Sequence, residues 1–287
     1  MIVFISVGDF LVAGGNIVGE WVITRASQPD VLACRIQAAI GTIAILSSFF
    51  WTVYLSLYFY LTICRRISME SEKRVMMLFH GTAWGIPVII AIIAFVQKGV
   101  GYSGDLVSSG WCWISSKQRW WEMVFWMCIA GKGWEISAYI AITVFYVLVK
   151  LHIRQEVSSG FMSGSPFLTV RSVEVAKKAD HKLTFIPVVF ILLRIWGTIR
   201  FFRFLACLPD CRTIGPRPAL QWLEILQGIG DNSQGFANFV LFCLFTDKIR
   251  ERFRLCCGHC MPVCCRTAER DPMLQSTNLF YDSFGNK

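Results

Sequence analysis

The chain has 287 residues, of which 55% are hydrophobic and only 16% charged, with a mean hydropathy of +0.52. That leaves too little polar surface to coat a soluble globule of this length, so the bilayer is the solvent. The formal net charge of +9 gathers beside helix ends, where an anionic leaflet attracts it, which argues against nucleic acid as a partner.

Six long apolar runs lie near residues 2–23, 34–63, 76–96, 121–150, 183–206 and 220–245. About 20 apolar residues cross the hydrocarbon core as a helix, so the pattern predicts an all-α polytopic transmembrane bundle over residues 1–246. A juxtamembrane segment, 247–265, and a polar tail, 266–287, expected to be disordered, follow it.

The first run begins at Ile2 with no signal peptide and no basic flank. Between the runs, Lys and Arg alternate. Arg65, Arg66, Lys73 and Arg74 follow the second run, Arg154, Arg171, Lys177, Lys178 and Lys182 follow the fourth, and Lys248, Arg250, Arg252 and Arg254 follow the sixth. The other connections are poorer, so they face outward, and the C-terminus and Met1 face the cytoplasm. A six-span chain of this orientation should carry basic residues ahead of its first helix; the sequence is therefore expected to be a fragment or an alternative start that lacks an upstream segment, the alternative being a first helix held by its partners alone. No Asn-x-Ser/Thr acceptor occurs, which fits a lost outer segment.

Cys34 begins the second run and Cys112 lies in the loop after the third, both on the oxidising side. A disulfide between them would restrict the mouth of the bundle; the alternative is two unpaired thiols. Cys207 and Cys211 offer a second, local bridge, or none.

Asp9, Lys132, Glu135, Arg194, Arg200, Glu224 and Asp231 fall inside apolar runs, where a central charge costs about 2.5–3.5 kcal/mol on insertion scales. They should face the bundle interior. Lys132 and Glu135 are three apart and share a helix face. By height, Lys132, Glu135, Arg200 and Glu224 suit an outward-opening ligand pocket under Trp113, with a polar structural network as the alternative. Asp9, Arg194, Asp231, Asn232 and Asn238 read first as a network joining helices. Pro87 and Pro187 interrupt the third and fifth runs; Pro187 is the better candidate for a switch hinge.

In the segment Asp247-Lys248-Ile249-Arg250-Glu251-Arg252-Phe253-Arg254, Ile249 and Phe253 are four apart among basic residues, which describes a short amphipathic helix on an anionic leaflet. Cys256, Cys257, Cys260, Cys264 and Cys265 follow at once and are candidates for S-palmitoylation. A zinc site built on Cys257, His259, Cys260 and Cys264 is the rival, without a second paired motif to complete it. No histidine set has metal-ligand spacing, no glycine loop for nucleotides occurs, and no Ser, His and Asp set stands out, so neither a catalytic residue nor a cofactor is expected.

Three motifs in order carry a resemblance: Ser47-Ser48-Phe49-Phe50-Trp51-Thr52 with Leu57-Tyr58-Phe59-Tyr60-Leu61, then Gly110-Trp111-Cys112-Trp113-Ile114, then Gln234-Gly235-x-x-Asn238. The sequence from Met1 to about Cys265 resembles the cAMP-receptor-like branch of seven-helix G-protein-coupled receptors, beginning in that family's second helix. The six runs would then be helices two to seven. The second run ends Ile63-Cys64-Arg65-Arg66, without an Asp-Arg-Tyr triplet, and the sixth lacks Asn-Pro-x-x-Tyr, so rhodopsin-like switch details do not transfer.

The resemblance implies an unknown extracellular ligand and a heterotrimeric G protein of the Gq class with phosphoinositide and calcium output. It further implies a plasma or ciliary membrane and G-protein contact at Arg65, Arg66, Lys177 and Lys178. The basic stretch 152–182, with its Ser158-Ser159-Gly160 segment, is also what a solvated cytoplasmic loop looks like. Two other classes stay open. A transporter would use mid-membrane charges, but the first three runs do not repeat in the last three; a truncated receptor product would fold poorly and not signal.

Overall fold

The computed structural model describes residues 1–25, 31–65, 67–102, 111–162, 170–207 and 221–240. The apolar runs fold as six rods among these residues. α1 spans Ile2–Arg25, α2 Val31–Cys64 and α3 Met69–Val96. The fourth rod is continuous but irregular: α4, Trp120–Met127, passes through a π-turn, Cys128–Lys132, into α5, Gly133–Met162. α6 spans Val170–Cys207 and α7 Gln221–Phe239. Between α3 and α4, β1 (Val100–Gly101) pairs antiparallel with β2 (Trp113–Ile114), Val100 facing Ile114.

The rods outrun their apolar runs because helix hydrogen bonding does not stop where hydrocarbon does. α3 begins at Met69, where the Ser68 hydroxyl accepts the Ser71 N–H at 3.4 Å and Glu70 and Glu72 sit at the positive end of the helix. α5 continues to Met162 and α6 starts at Val170. The stretch 152–182, expected as a loop, is thus mostly helix, since residues such as Arg154, Gln155, Lys177 and Lys178 are good helix formers once the apolar segment has nucleated the rod.

Among the described residues, Ile2–Gly19, Leu32–Cys64, Met69–Val96 and Trp120–Gln155 are long and apolar enough to cross a membrane. The remaining rods, α6 and α7, carry Arg194, Arg200, Glu224 and Asp231, whose charges pair inside the bundle.

Packing makes α2 the central element, in contact with α1, α3 and α5, while α1 meets α7, α7 meets α6 and α6 meets α5. A ring α2–α1–α7–α6–α5 closes, with α3 packed on α2 outside it. Phe4, Trp51 and His80 pack ring to ring with centroids 4.6–4.8 Å apart, and Tyr54 stacks on Phe79 at 4.2 Å, joining α1, α2 and α3. Outward faces are apolar: Phe10 is 76% exposed and Phe236 71%. In water such surface would be a liability, whereas lipid tails cover it at no cost.

The compact unit is Met1–Phe239, and a second unit comprises Val240–Lys287. The amphipathic segment and Cys256, Cys257, Cys260, Cys264 and Cys265 lie outside the described residues.

Candidate ligand site beneath the hairpin

The site starts from three glycines. At Gly133 a Cβ would lie 2.7 Å from the Cys128 carbonyl oxygen, so only glycine lets the chain leave the π-turn at that point. At Gly131 a Cβ would lie 2.8 Å from the Trp113 ring, and at Gly197 it would lie 2.7 Å from the Lys132 amine. Their bare backbones admit Trp113 from above and Lys132 from the side. The π-turn adds a residue to one turn of the rod and ends at Lys132, which it holds inside the bundle.

Above, the hairpin forms a cap. Cys112 is disulfide-bonded to Cys34 with a Cα–Cα distance of 5.5 Å, and its N–H donates to Gln37 Oε1 at 3.1 Å. The cap is therefore fastened to α2 by one covalent and one polar link. Arg35 donates to the Phe95 carbonyl and covers the Phe95 ring at 4.4 Å, tying α2 to α3 at the same end. Cys207 is also disulfide-bonded, while Cys211 lies outside the described residues.

Below the cap, buried charges are arranged in pairs. Lys132 Nζ donates to both oxygens of Glu135, at 3.1 and 2.9 Å, and Glu135 Oε1 also accepts from Tyr139 and Thr198 at 2.7 and 2.6 Å. Arg194, 0% exposed, donates from Nη1 to Asp231 Oδ1 at 3.1 Å, with its guanidinium 5.1 Å from the Phe49 ring centre. Gln227 donates to Asp231 Oδ2 at 3.2 Å and accepts from Arg200 at 2.7 Å. Arg200 also lies 3.8 Å from Glu224.

A separate cluster joins α1, α2 and α7. Asp9 accepts from Ser48 and from Asn238, both at 2.7 Å, and Gln234 donates to Asn238. Asn16 donates to Asn232 at 3.0 Å, an exposed contact, so Asn232 joins α1 to α7 at the rim and not in the core.

Trp111, Trp113, Lys132, Glu135, Arg194 and Asp231 line a cavity of about 50 Å³ that Gln37 and Gln227 also border. The residues expected together by height are thus redistributed. Lys132, Glu135 and Trp113 line it, Arg200 and Glu224 do not, and Arg194 and Asp231, assigned by sequence to a structural network, form one of its walls. Gln37 and Gln227 escape a sequence reading because a neutral amide in an apolar run raises no charge alarm; their only signal is polarity at a buried height.

At the opposite end, Arg65 is exposed just beyond α2 and Arg66 lies outside the described residues. Lys177 and Lys178 lie in α6, with their side chains outside the described residues. Among the described residues, no cluster of His, Cys, Asp and Glu could hold a metal ion.

Comparison with known proteins places this arrangement. The sequence model of the family described as 7 transmembrane receptor (Secretin family) matches residues 4–210. Human G-protein coupled receptor 157 is 37% identical over 259 residues, covering 89% of this chain and 73% of that protein. The Mus musculus protein of the same name is 37% identical over 266 residues, covering 91% and 76%. Cyclic AMP receptor-like protein C of Dictyostelium discoideum is 24% identical over 262 residues, covering 87% and 64%. With a multi-pass helical bundle, a capped polar cavity and these matches together, the chain belongs to the seven-transmembrane receptor family.

Proposed function

We propose that the chain is a G-protein-coupled receptor that carries an extracellular signal to a heterotrimeric G protein of the Gq class, with phosphoinositide and calcium output. The observation that supports this most directly is the cavity under the tethered hairpin, whose inner wall is an Arg194–Asp231 pair shared between α6 and α7. A ligand there acts on two rods at once, and α6 carries Pro187 as a hinge nearer its other end. Receptor action requires that differential contact with a bistable element.

The basic connections favour an orientation with the hairpin outside and the C-terminus in the cytoplasm. In this reading the six rods stand for the second to seventh helices of the family pattern. Arg65, Arg66, Lys177 and Lys178 form the docking face, Cys256, Cys257, Cys260, Cys264 and Cys265 anchor the tail by palmitoylation, and the receptor resides in the plasma membrane, including that of a cilium.

The test is calcium mobilisation in cells expressing this chain and a counterpart with an upstream helix added, with surface labelling of both and a Gq inhibitor. An inhibitor-sensitive signal from the extended form alone marks a receptor whose short form is incomplete. Surface expression of both without any calcium signal refutes the Gq assignment and directs attention to other G proteins or to solute flux.

A further inference from the structure

The charged groups lining the cavity are unequally used. Glu135 accepts from Lys132, Tyr139 and Thr198, and Asp231 accepts Arg194 on one oxygen and Gln227 on the other. Both carboxylates are satisfied. Arg194 is not: its Nε and Nη2 have no hydrogen-bond partner among the described residues, although the side chain is 0% exposed. Lys132 spends its resolved bonds on Glu135 alone and keeps a third N–H. Among the cavity-lining residues, the buried side-chain atoms left without a partner are therefore both donors.

The two open atoms of Arg194 belong together. Nε–H and the adjacent N–H of Nη2 point in parallel from one edge of a guanidinium and form a fork that matches the two oxygens of a planar anion. Asp231 is engaged by Nη1, away from that edge, and Phe49 covers one face of the group. What remains for a partner is the edge.

We propose that this cavity binds a small organic carboxylate, with both its oxygens on the Nε/Nη2 edge of Arg194 and a short apolar tail against Ile45, Trp111 and Trp113. The proposal rests on the cavity being the receptor's ligand site. An ammonium group would find no unsatisfied carboxylate, and a primary amide offers one acceptor oxygen where the fork needs two. A volume of about 50 Å³ limits the tail to a few carbons. Lipid-sized acids are too long, and the apolar wall disfavours a second charge on the ligand.

The experiment uses the full chain purified into lipid nanodiscs and follows thermal unfolding during titration with acetate, butyrate and hexanoate. Butyramide, butylamine and methyl phosphate are the comparison probes. Butyrate is expected to raise the midpoint saturably, with butyramide and butylamine inert. Arg194→Lys keeps the charge and removes the fork, and is expected to weaken butyrate at least ten-fold. Ala38→Leu, which adds volume at a buried position of α2 bordering the cavity and leaves every charged group in place, is expected to abolish the butyrate shift, measured against that variant's own starting midpoint. No shift from any of the three acids, an equal shift from butyramide, or undiminished binding in either variant overturns the proposal. Saturable methyl phosphate binding in place of butyrate overturns the carboxylate assignment as well. Butyrate binding without a calcium response leaves the site standing and refutes the Gq reading; a calcium response to other stimuli without butyrate binding does the reverse.

Discussion

Glu135 is the residue whose loss should be felt most, because three side chains converge on it from two rods in a site 2% exposed. Glu135→Gln would strand the Lys132 ammonium without a counter-charge, and breaking one half of a buried ion pair costs about 3–5 kcal/mol. The variant is expected to show a markedly lower unfolding midpoint in nanodiscs, with Lys132→Met added to it recovering most of the loss. A double variant no better than the single would show that Glu135 acts through Tyr139 and Thr198 and not through Lys132. The charged residues of this site were legible because each stands out in an apolar run. Their grouping was not. Arg200 lies six residues after Arg194, about 240° round the helix, so equal suitability by height does not give a shared face. Height along a span comes from counting, whereas rotation about it comes from packing.

At the level of elements, α6 and α7 approach so closely at Gly230 that a Cβ there would collide with the Leu193 carbonyl oxygen. Backbone cannot swing aside as a side chain can, so Gly230→Ala should push the two rods apart and loosen the Arg194–Asp231 pair beside it. Overpacking of this kind costs about 1–3 kcal/mol. Gly81 in α3 has nothing within 4 Å of where a Cβ would sit and is the matched control; its change to Ala should stabilise by about 1 kcal/mol through helix propensity. Size-exclusion profiles and unfolding midpoints of the two variants are expected to move in opposite directions. The existence of the rods follows from the apolar runs, but their ends do not, since the helices of α3, α5 and α6 continue through polar sequence. The π-turn at Cys128–Lys132 left only the two glycines beside Lys132 as a trace, because one inserted residue barely alters an all-round apolar pattern.

At the scale of the whole molecule, a covalent bond joins Cys34 to Cys112, separated by 78 residues. Cross-links closing loops of this size typically contribute about 2–5 kcal/mol. Replacing both cysteines by Ser is expected to lower the midpoint and to free the hairpin, checked by faster labelling of a cysteine placed at Ser116, a position beside β2. Loss of stability with unchanged labelling would mean that Gln37 and the strand pairing hold the cap unaided. The cap and the guanidinium beneath it hang from different supports: Trp113 sits one residue from the bond to α2, whereas Arg194 is part of α6. The gap between them is then a caliper set on two rods. A molecule long enough to touch both jaws converts its own length into a displacement of α6 against α2, and one that reaches a single jaw has affinity without leverage.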